Sequence, residues 1–274
     1  MTTQGECFIL KTIVLVSLVI VLPLQCYADV PSGIGKDKYN FSIGSFLPAV
    51  NTEMRLDSGT LGRGTTIDLE DDLGFDAHQN TGRLDAYIRF APRHRLNVGY
   101  FNMNRTASGV IDKTIQFGDQ VFAINTNLDS EFKTSIILTN YMYSIVQQPK
   151  FELAVAIGVH YSETKTSLST SGGAISVNAK ADGPLPLVGL DIKYAVKPNL
   201  HLGLLAQWFK ADTSDYDGTI RNINASIEYF VQKNFGIGIG YSQFKVDYNT
   251  NMTFFKGAIR YSYGGPQIFA SLRF

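Results

Sequence analysis

Residues 265–274 read GPQIFASLRF. Ile268, Ala270, Leu272 and Phe274 fall on one face of an extended chain, and Gln267, Ser271 and Arg273 fall on the other. A period of two is the signature of a β-strand with unlike faces, and it runs here to the last residue of the sequence. Phe269 is the one misfit, an aromatic on the polar face.

The same alternation recurs along most of the chain. In YNFSI, Tyr39, Phe41 and Ile43 oppose Asn40 and Ser42; in RLDAYIRF, Leu84, Ala86, Ile88 and Phe90 oppose Arg83, Asp85, Tyr87 and Arg89. FELAVAIGVHY sets Phe151, Leu153, Val155, Ile157, Val159 and Tyr161 against Glu152, small residues and His160. PLVGLDIKY, TIRNINASIEYFV and FGIGIGY follow suit, and no stretch shows the period of an amphipathic helix.

The connections are of two kinds. Four are short: APRHR at 91–95, VQQPK at 146–150, AVKPN at 195–199 and VQKN at 231–234. Between them lie longer polar stretches such as ETKTSLSTSGGAISVNAKADG and KADTSDYDG. Short turns at one end and long loops at the other describe an antiparallel up-and-down membrane barrel with its turns in the periplasm. Four returns imply ten strands, at 38–58, 64–91, 95–117, 120–146, 151–171, 174–196, 200–211, 217–231, 235–247 and 252–274; eight is the alternative if one N-terminal pair is loop. Aromatics flank the short turns (Phe90, Tyr143, Phe151, Tyr194, Tyr229, Phe235), and a second set lies higher (Tyr100, Tyr161, Trp208, Tyr241). From Phe151 to Tyr161 a strand climbs roughly 33 Å, or about 25 Å of height once tilted, which is the apolar band of such barrels. A soluble β-sandwich or closed barrel also alternates, but it would turn its polar face outward.

The N-terminal segment places Lys11 before an apolar run, Ile13 to Leu24, followed by Cys26-Tyr27-Ala28 and Asp29. That order reads as a secretory signal peptide over 1–28, leaving a barrel over 29–274. An uncleaved anchor or an acylated Cys26 fits less well, because Pro23 and Asp29 close the run abruptly and Gln25, not a small residue, precedes the cysteine. Both cysteines, Cys7 and Cys26, fall in this leader, so no disulfide framework is expected. Acids and bases balance at 24 each, which gives no sign of a nucleic-acid partner.

GPQIFASLRF resembles the C-terminal signature of Gram-negative outer-membrane β-barrel proteins, a terminal Phe preceded by alternating apolar residues. The resemblance implies that Ile268, Ala270, Leu272 and Phe274 form an assembly signal read by the barrel-assembly machinery. It also implies a place in the outer membrane among its lipids and lipopolysaccharide. It is silent on activity, since porins, adhesins and enzymes share it.

If the apolar rows face lipid, the opposite rows line a lumen that holds Arg83, Asp85, Arg89, Glu152, His160, Asp191, Lys193, His201, Glu228, Lys256, Arg260 and Arg273. Such a mixed-sign interior is either an ion-paired plug or a narrow pore for small polar solutes. The pair His160-x-Ser162 resembles that of outer-membrane lipid A deacylases, which suggests a hydrolase or acyltransferase as an alternative. Both residues nevertheless share the lumenal face, away from lipid. The acids of IDLEDDLGFD at 67–76 lack the spacing of a calcium loop and read as a solvated surface loop. Neither cofactor, metal nor catalytic residue is expected. The long loops leave an adhesin as a third alternative to a channel or a structural barrel.

Overall fold

A computed structural model describes residues 34–212, 216–252 and 255–274. The proposed signal peptide lies outside the described residues. Ten wall positions close into a ring. The first is shared by β1 (Tyr39–Phe46) and β2 (Ala49–Leu56), and the others are β4 (Thr81–Ala91), β5 (His94–Val110), β8 (Asn127–Gln148), β9 (Phe151–Thr170), β10 (Ser176–Lys197), β11 (Leu200–Asp212), β12 (Tyr216–Phe230), β13 (Phe235–Met252) and β14 (Phe255–Arg273). Every wall contact is antiparallel between neighbours in sequence, and β14 returns to β1 from Asn40↔Arg273 to Phe46↔Gln267. Closure leaves no open sheet edge at this level, which is what a strand structure in lipid requires.

The N-terminal strand breaks at Leu47-Pro48, opposite Gly265 and Pro266, and resumes as β2 on the same edge of β14. A Cβ on Gly265 would stand 2.1 Å from the Leu47 carbonyl oxygen, so only glycine lets the two backbones come this close.

Three segments depart from the sequence expectation. Residues 64–80 are not a continuation of a strand. They form β3 (Ile67–Asp68), which bonds to β2, and α1 (Leu69–Leu73). The Asp68 carboxylate caps this single turn by accepting from the Glu70 and Asp71 N–H groups, and Gly74 ends it at φ 72°. Five residues are too few to show a helical period. The spans 95–117 and 120–146 also stop short of one another. A separate hairpin, β6 (Ile115–Phe117) and β7 (Gln120–Phe122), folds between them with Ile115, Phe117 and Phe122 buried.

The two faces of the wall exchange character along the barrel. Near the short turns the outer row is apolar (Phe41, Ile43, Leu84, Ile88, Ile157, Ile239, Ile268, all exposed) and the inner row is polar (Glu152, Asp191, Arg273, all buried). Near the long loops the inner row is apolar, with Phe132, Leu168, Val246 and Tyr261 buried. The outer row there carries Glu163, Lys165, Lys180, Asp182 and Arg260. An apolar belt of this extent on an outer wall belongs in a bilayer, and the charged outer row above it belongs in water.

Phe269, the misfit of the terminal strand, points inward and lies against glycines on both neighbouring strands, Gly44 on β1 and Gly238 on β13. A Cβ on Gly238 would come within 2.3 Å of the Phe269 ring. Gly238→Val is expected to lower stability by about 1–3 kcal/mol through overpacking. Gly82→Val, where a Cβ meets nothing within 4 Å, should leave it near wild type. Urea midpoints of the refolded barrel, followed by heat-modifiable gel mobility, check both.

Candidate functional site: the lumen

The lumen is filled in layers. At the end with the short turns, the chain entering β1 covers the opening. Ile34 N–H donates to the Pro149 carbonyl at 3.0 Å, and Ile34 and Asp37 are both buried. Asp37 faces Arg273 at 3.9 Å, and that guanidinium stacks on the Phe230 ring at 3.3 Å.

Above it sits an ionic knot. Arg89 grips Glu152 with both terminal nitrogens, at 2.9 and 3.0 Å, and Ser144 donates to the same carboxylate. Arg95 reaches Glu152 at 3.5 Å and hydrogen-bonds Asp191. Arg95 and Lys193 both lie over the Tyr87 ring, at 5.3 and 4.4 Å. Glu152 is wholly buried, so its charge is tolerated only because two guanidiniums and a hydroxyl satisfy it.

The third layer is a transverse chain of hydrogen bonds. Arg83 clasps Asp85 at 2.8 and 3.0 Å and donates to Ser242 at 3.0 Å. Ser242 donates to Asn224, Asn224 to Asn222, Asn222 to Gln207 and Gln207 to Asn140, at 2.6, 3.0, 2.8 and 2.8 Å. The last link passes over β9 where Gly158 stands, and a Cβ there would meet the Asn140 oxygen at 2.1 Å. Between the knot and this chain lies a polar cavity of about 230 Å³, lined by Asp37, Asn97, Lys193, Glu228 and Arg273. Its size and walls suit ordered water.

The fourth layer is aromatic. His160 stacks on Phe244 at 3.9 Å, Phe244 on Tyr263 at 5.3 Å, and Phe46 meets Phe101 edge-on at 5.5 Å. Arg83 lies beneath Phe46 and Phe101, at 5.8 and 5.6 Å from their centroids. The top layer holds α1. Leu69 and Leu73 are buried, Glu70 pairs with Arg105 and accepts the Thr52 N–H at 2.7 Å, and Asp72 accepts Lys113 at 2.6 Å. Residues 67–76 are therefore not a solvated loop as a whole: Asp71 and Asp76 are exposed, but Glu70 and Asp72 anchor a plug.

Of the residues expected in the lumen, Arg83, Arg89, Glu152, His160, Asp191, His201 and Arg273 are buried there, and Asp85, Lys193 and Glu228 line the polar cavity. Arg260 is not lumenal. Its side chain is 55% exposed on the outer wall, where it pairs with Glu53 at 2.9 Å and Asp247 at 3.2 Å. Tyr261 and Tyr263 take the inward positions instead, because this part of β14 lies above the belt, where charge faces water. The Lys256 side chain lies outside the described residues. His160 makes no hydrogen bond through either ring nitrogen, so no His160–Ser162 dyad is formed. Asn140, Gln207, Asn222, Asn224 and Ser242 escaped a reading keyed to charge, although their inward parity marks them.

Above the belt, hydrogen bonds from Lys165 and Lys180 hold the Glu163 carboxyl below its ordinary range, and those from Tyr161 and Lys180 do the same for Asp182. On the apolar row, Ile268, Leu272 and Phe274 are exposed and Ala270 is half-buried.

No protein-family model and no curated protein matches the chain. Among solved structures it is similar to the outer membrane protease OmpT from Escherichia coli, with 10% identity, 89% of this chain and 98% of that one covered, and a TM-score of 0.61. It is also similar to the translocator domain of autotransporter NalP from Neisseria meningitidis (10% identity, 86% and 88% covered, TM-score 0.44) and to the attachment invasion locus protein Ail of Yersinia pestis (12%, 87% and 99%, 0.38). The likeness to OmpT is one of fold: with the apolar belt, it identifies an integral barrel of the bacterial outer membrane.

Glu152→Gln would leave Arg89 without its carboxylate and Arg95 with Asp191 alone, and is expected to cost about 3 kcal/mol. Lys165→Gln on the wet outer row should change stability by less than about 0.5 kcal/mol. Urea unfolding in detergent separates the two.

Proposed function

We propose that this protein is a closed, non-enzymatic outer-membrane barrel that acts through its outer surface and does not conduct small polar solutes. The observation that supports this is the aromatic layer. Phe46, Phe101, Phe244 and His160 are fully buried or nearly so and span the lumen between the polar cavity below and the plug above. An ion would have to shed its water among apolar rings to pass, and a constriction of that kind does not wet. The unpartnered His160 nitrogens favour a structural role for that histidine over general-base chemistry, which needs a nucleophile in reach. In this proposal the partners are the surrounding outer-membrane lipids and lipopolysaccharide, with the barrel-assembly machinery engaging the row that ends at Phe274.

Planar-bilayer recording on refolded protein, its folding verified by gel mobility, is expected to give a silent membrane. Discrete conductance steps from the folded species would restore the narrow channel.

A further inference from the structure

The barrel wall has a gap. β10 is registered against β9 from Ser176↔Ser169 to Tyr194↔Phe151 without interruption. On its other side it meets β11 only from Val188↔Trp208 downward. β11 itself continues upward, paired to β12 as far as Asp212↔Asp217. Above Trp208, therefore, Ser176 to Leu187 of one strand and Phe209 to Asp212 of the next run side by side with no ladder among the described residues. Pro184 and Pro186 stand on the β10 lip. Neither has an N–H to offer, and proline in a strand belongs where no neighbour needs that donor.

Behind the gap is a cavity of about 410 Å³, within the range of small-molecule sites, roughly 300–1,000 Å³. Its walls are chiefly Leu185, Phe209, Ile220, Phe244, Val246 and Ile259, and both lips contribute, Pro184 and Pro186 from β10 and Ala211 from β11. The two prolines face outward yet line the cavity, so the space reaches through the wall. A second cavity of about 480 Å³, sharing Thr164, Ala181, Asp182, Tyr248 and Ile259, extends it toward Met54 and Leu56. Tyr161 pairs in register with Pro184, and Trp208 closes the bottom of the gap. Both belong to the upper aromatic girdle, which puts the opening at the outer-leaflet interface.

The outer surface beside the gap carries a cluster of three cations at the height of Trp208 and just above it. Arg221 is in register with Trp208 on one side and Lys245 on the other, and Lys210 lies two residues above Trp208 on the same face. Like charges placed directly opposite across a strand pair repel, and no ion pair to a described residue relieves these three. Of the acids near them, Asp182 is engaged by Lys180 and Tyr161 and Asp247 by Arg260, while Asp212 and Asp217 lie farther up the same face, opposite one another on β11 and β12.

From these observations we infer that the β10–β11 gap admits one acyl chain of a phosphate-bearing lipid of the outer leaflet into the apolar cavity, with the phosphate held by Arg221, Lys245 and Lys210. The ligand is an amphiphile by geometry: the cationic cluster and Trp208 lie outside at interface depth, and the apolar space begins just inside the lip. The inference does not depend on whether the lumen conducts, because the cavity lies above the aromatic layer.

Photolabelling of the full-length refolded protein in zwitterionic vesicles tests this. The probe is phosphatidic acid with a diazirine at the end of one acyl chain, and diacylglycerol with the same chain serves as the neutral probe. Cross-links are expected at Phe209, Ile220 and Phe244. Filling the cavity with Ala211→Trp or, independently, Leu185→Trp should cut them about tenfold, with gel mobility confirming that the variants fold. Arg221→Gln with Lys245→Gln should cut phosphatidic acid labelling about tenfold and leave diacylglycerol labelling unchanged. Cross-links confined to belt residues such as Val188, Trp208 and Ile223, or unaffected by a folded cavity-filling variant, would overturn entry of the chain. Equal labelling by the two probes, with no response to the charge variants, would overturn the phosphate assignment.

Discussion

Hydrocarbon offers no partner to a peptide group, and that single constraint organises the whole wall. Every strand at belt height must bond on both sides, so β14 must find β1, and the register from Asn40↔Arg273 to Phe46↔Gln267 is the result. Above the belt, water can serve in place of a neighbour, and there the rule relaxes. β2 takes β3 as a partner instead of β4, and the upper part of β10 stands apart from β11. Irregularity is thus distributed by depth.

The same constraint dictates what fills the centre. A ring of ten positions encloses more space than its own side chains can pack as an apolar core while its outer face is also apolar. The lower interior is therefore polar, and its charges neutralise one another: Arg89 and Arg95 against Glu152 and Asp191, Arg83 against Asp85, Arg273 against Asp37. Higher up, where the outer face is wet, the interior can be apolar, and residues 67–75 fold in to complete it.

How far the sequence discloses this follows from the same geometry. Period two, four short turns and the aromatic pairs around them are properties of single strands, so ring, strand number and lumenal parity could be read directly. Three things could not. The five residues of α1 are too short to reveal their period, and their acids look like surface until Arg105 and Lys113 are seen to meet them. Arg260 reads as lumenal by its polarity, but polarity changes sides above the girdle while parity does not. The neutral chain from Ser242 to Asn140 depends on which inward residues share a height, and that is set by strand stagger rather than by spacing along any one strand.

The chain of hydrogen bonds from Arg83 to Asn140 joins side chains of β4, β13, β12, β11 and β8 across the bore. In mechanical terms it is a tie-rod. A cylinder braced between those walls resists flattening and resists any change in strand tilt, since either would stretch several short bonds at once. The brace crosses β9 and β10 without gripping them, Gly158 giving it no side chain on β9, and those two strands are tied lower down instead, Glu152 to Arg89 and Asp191 to Arg95. Stiffness is therefore divided by height, and the stretch that neither tie reaches, the upper part of β10 where it runs unladdered beside β11, is where pressure from the bilayer will deform this protein first.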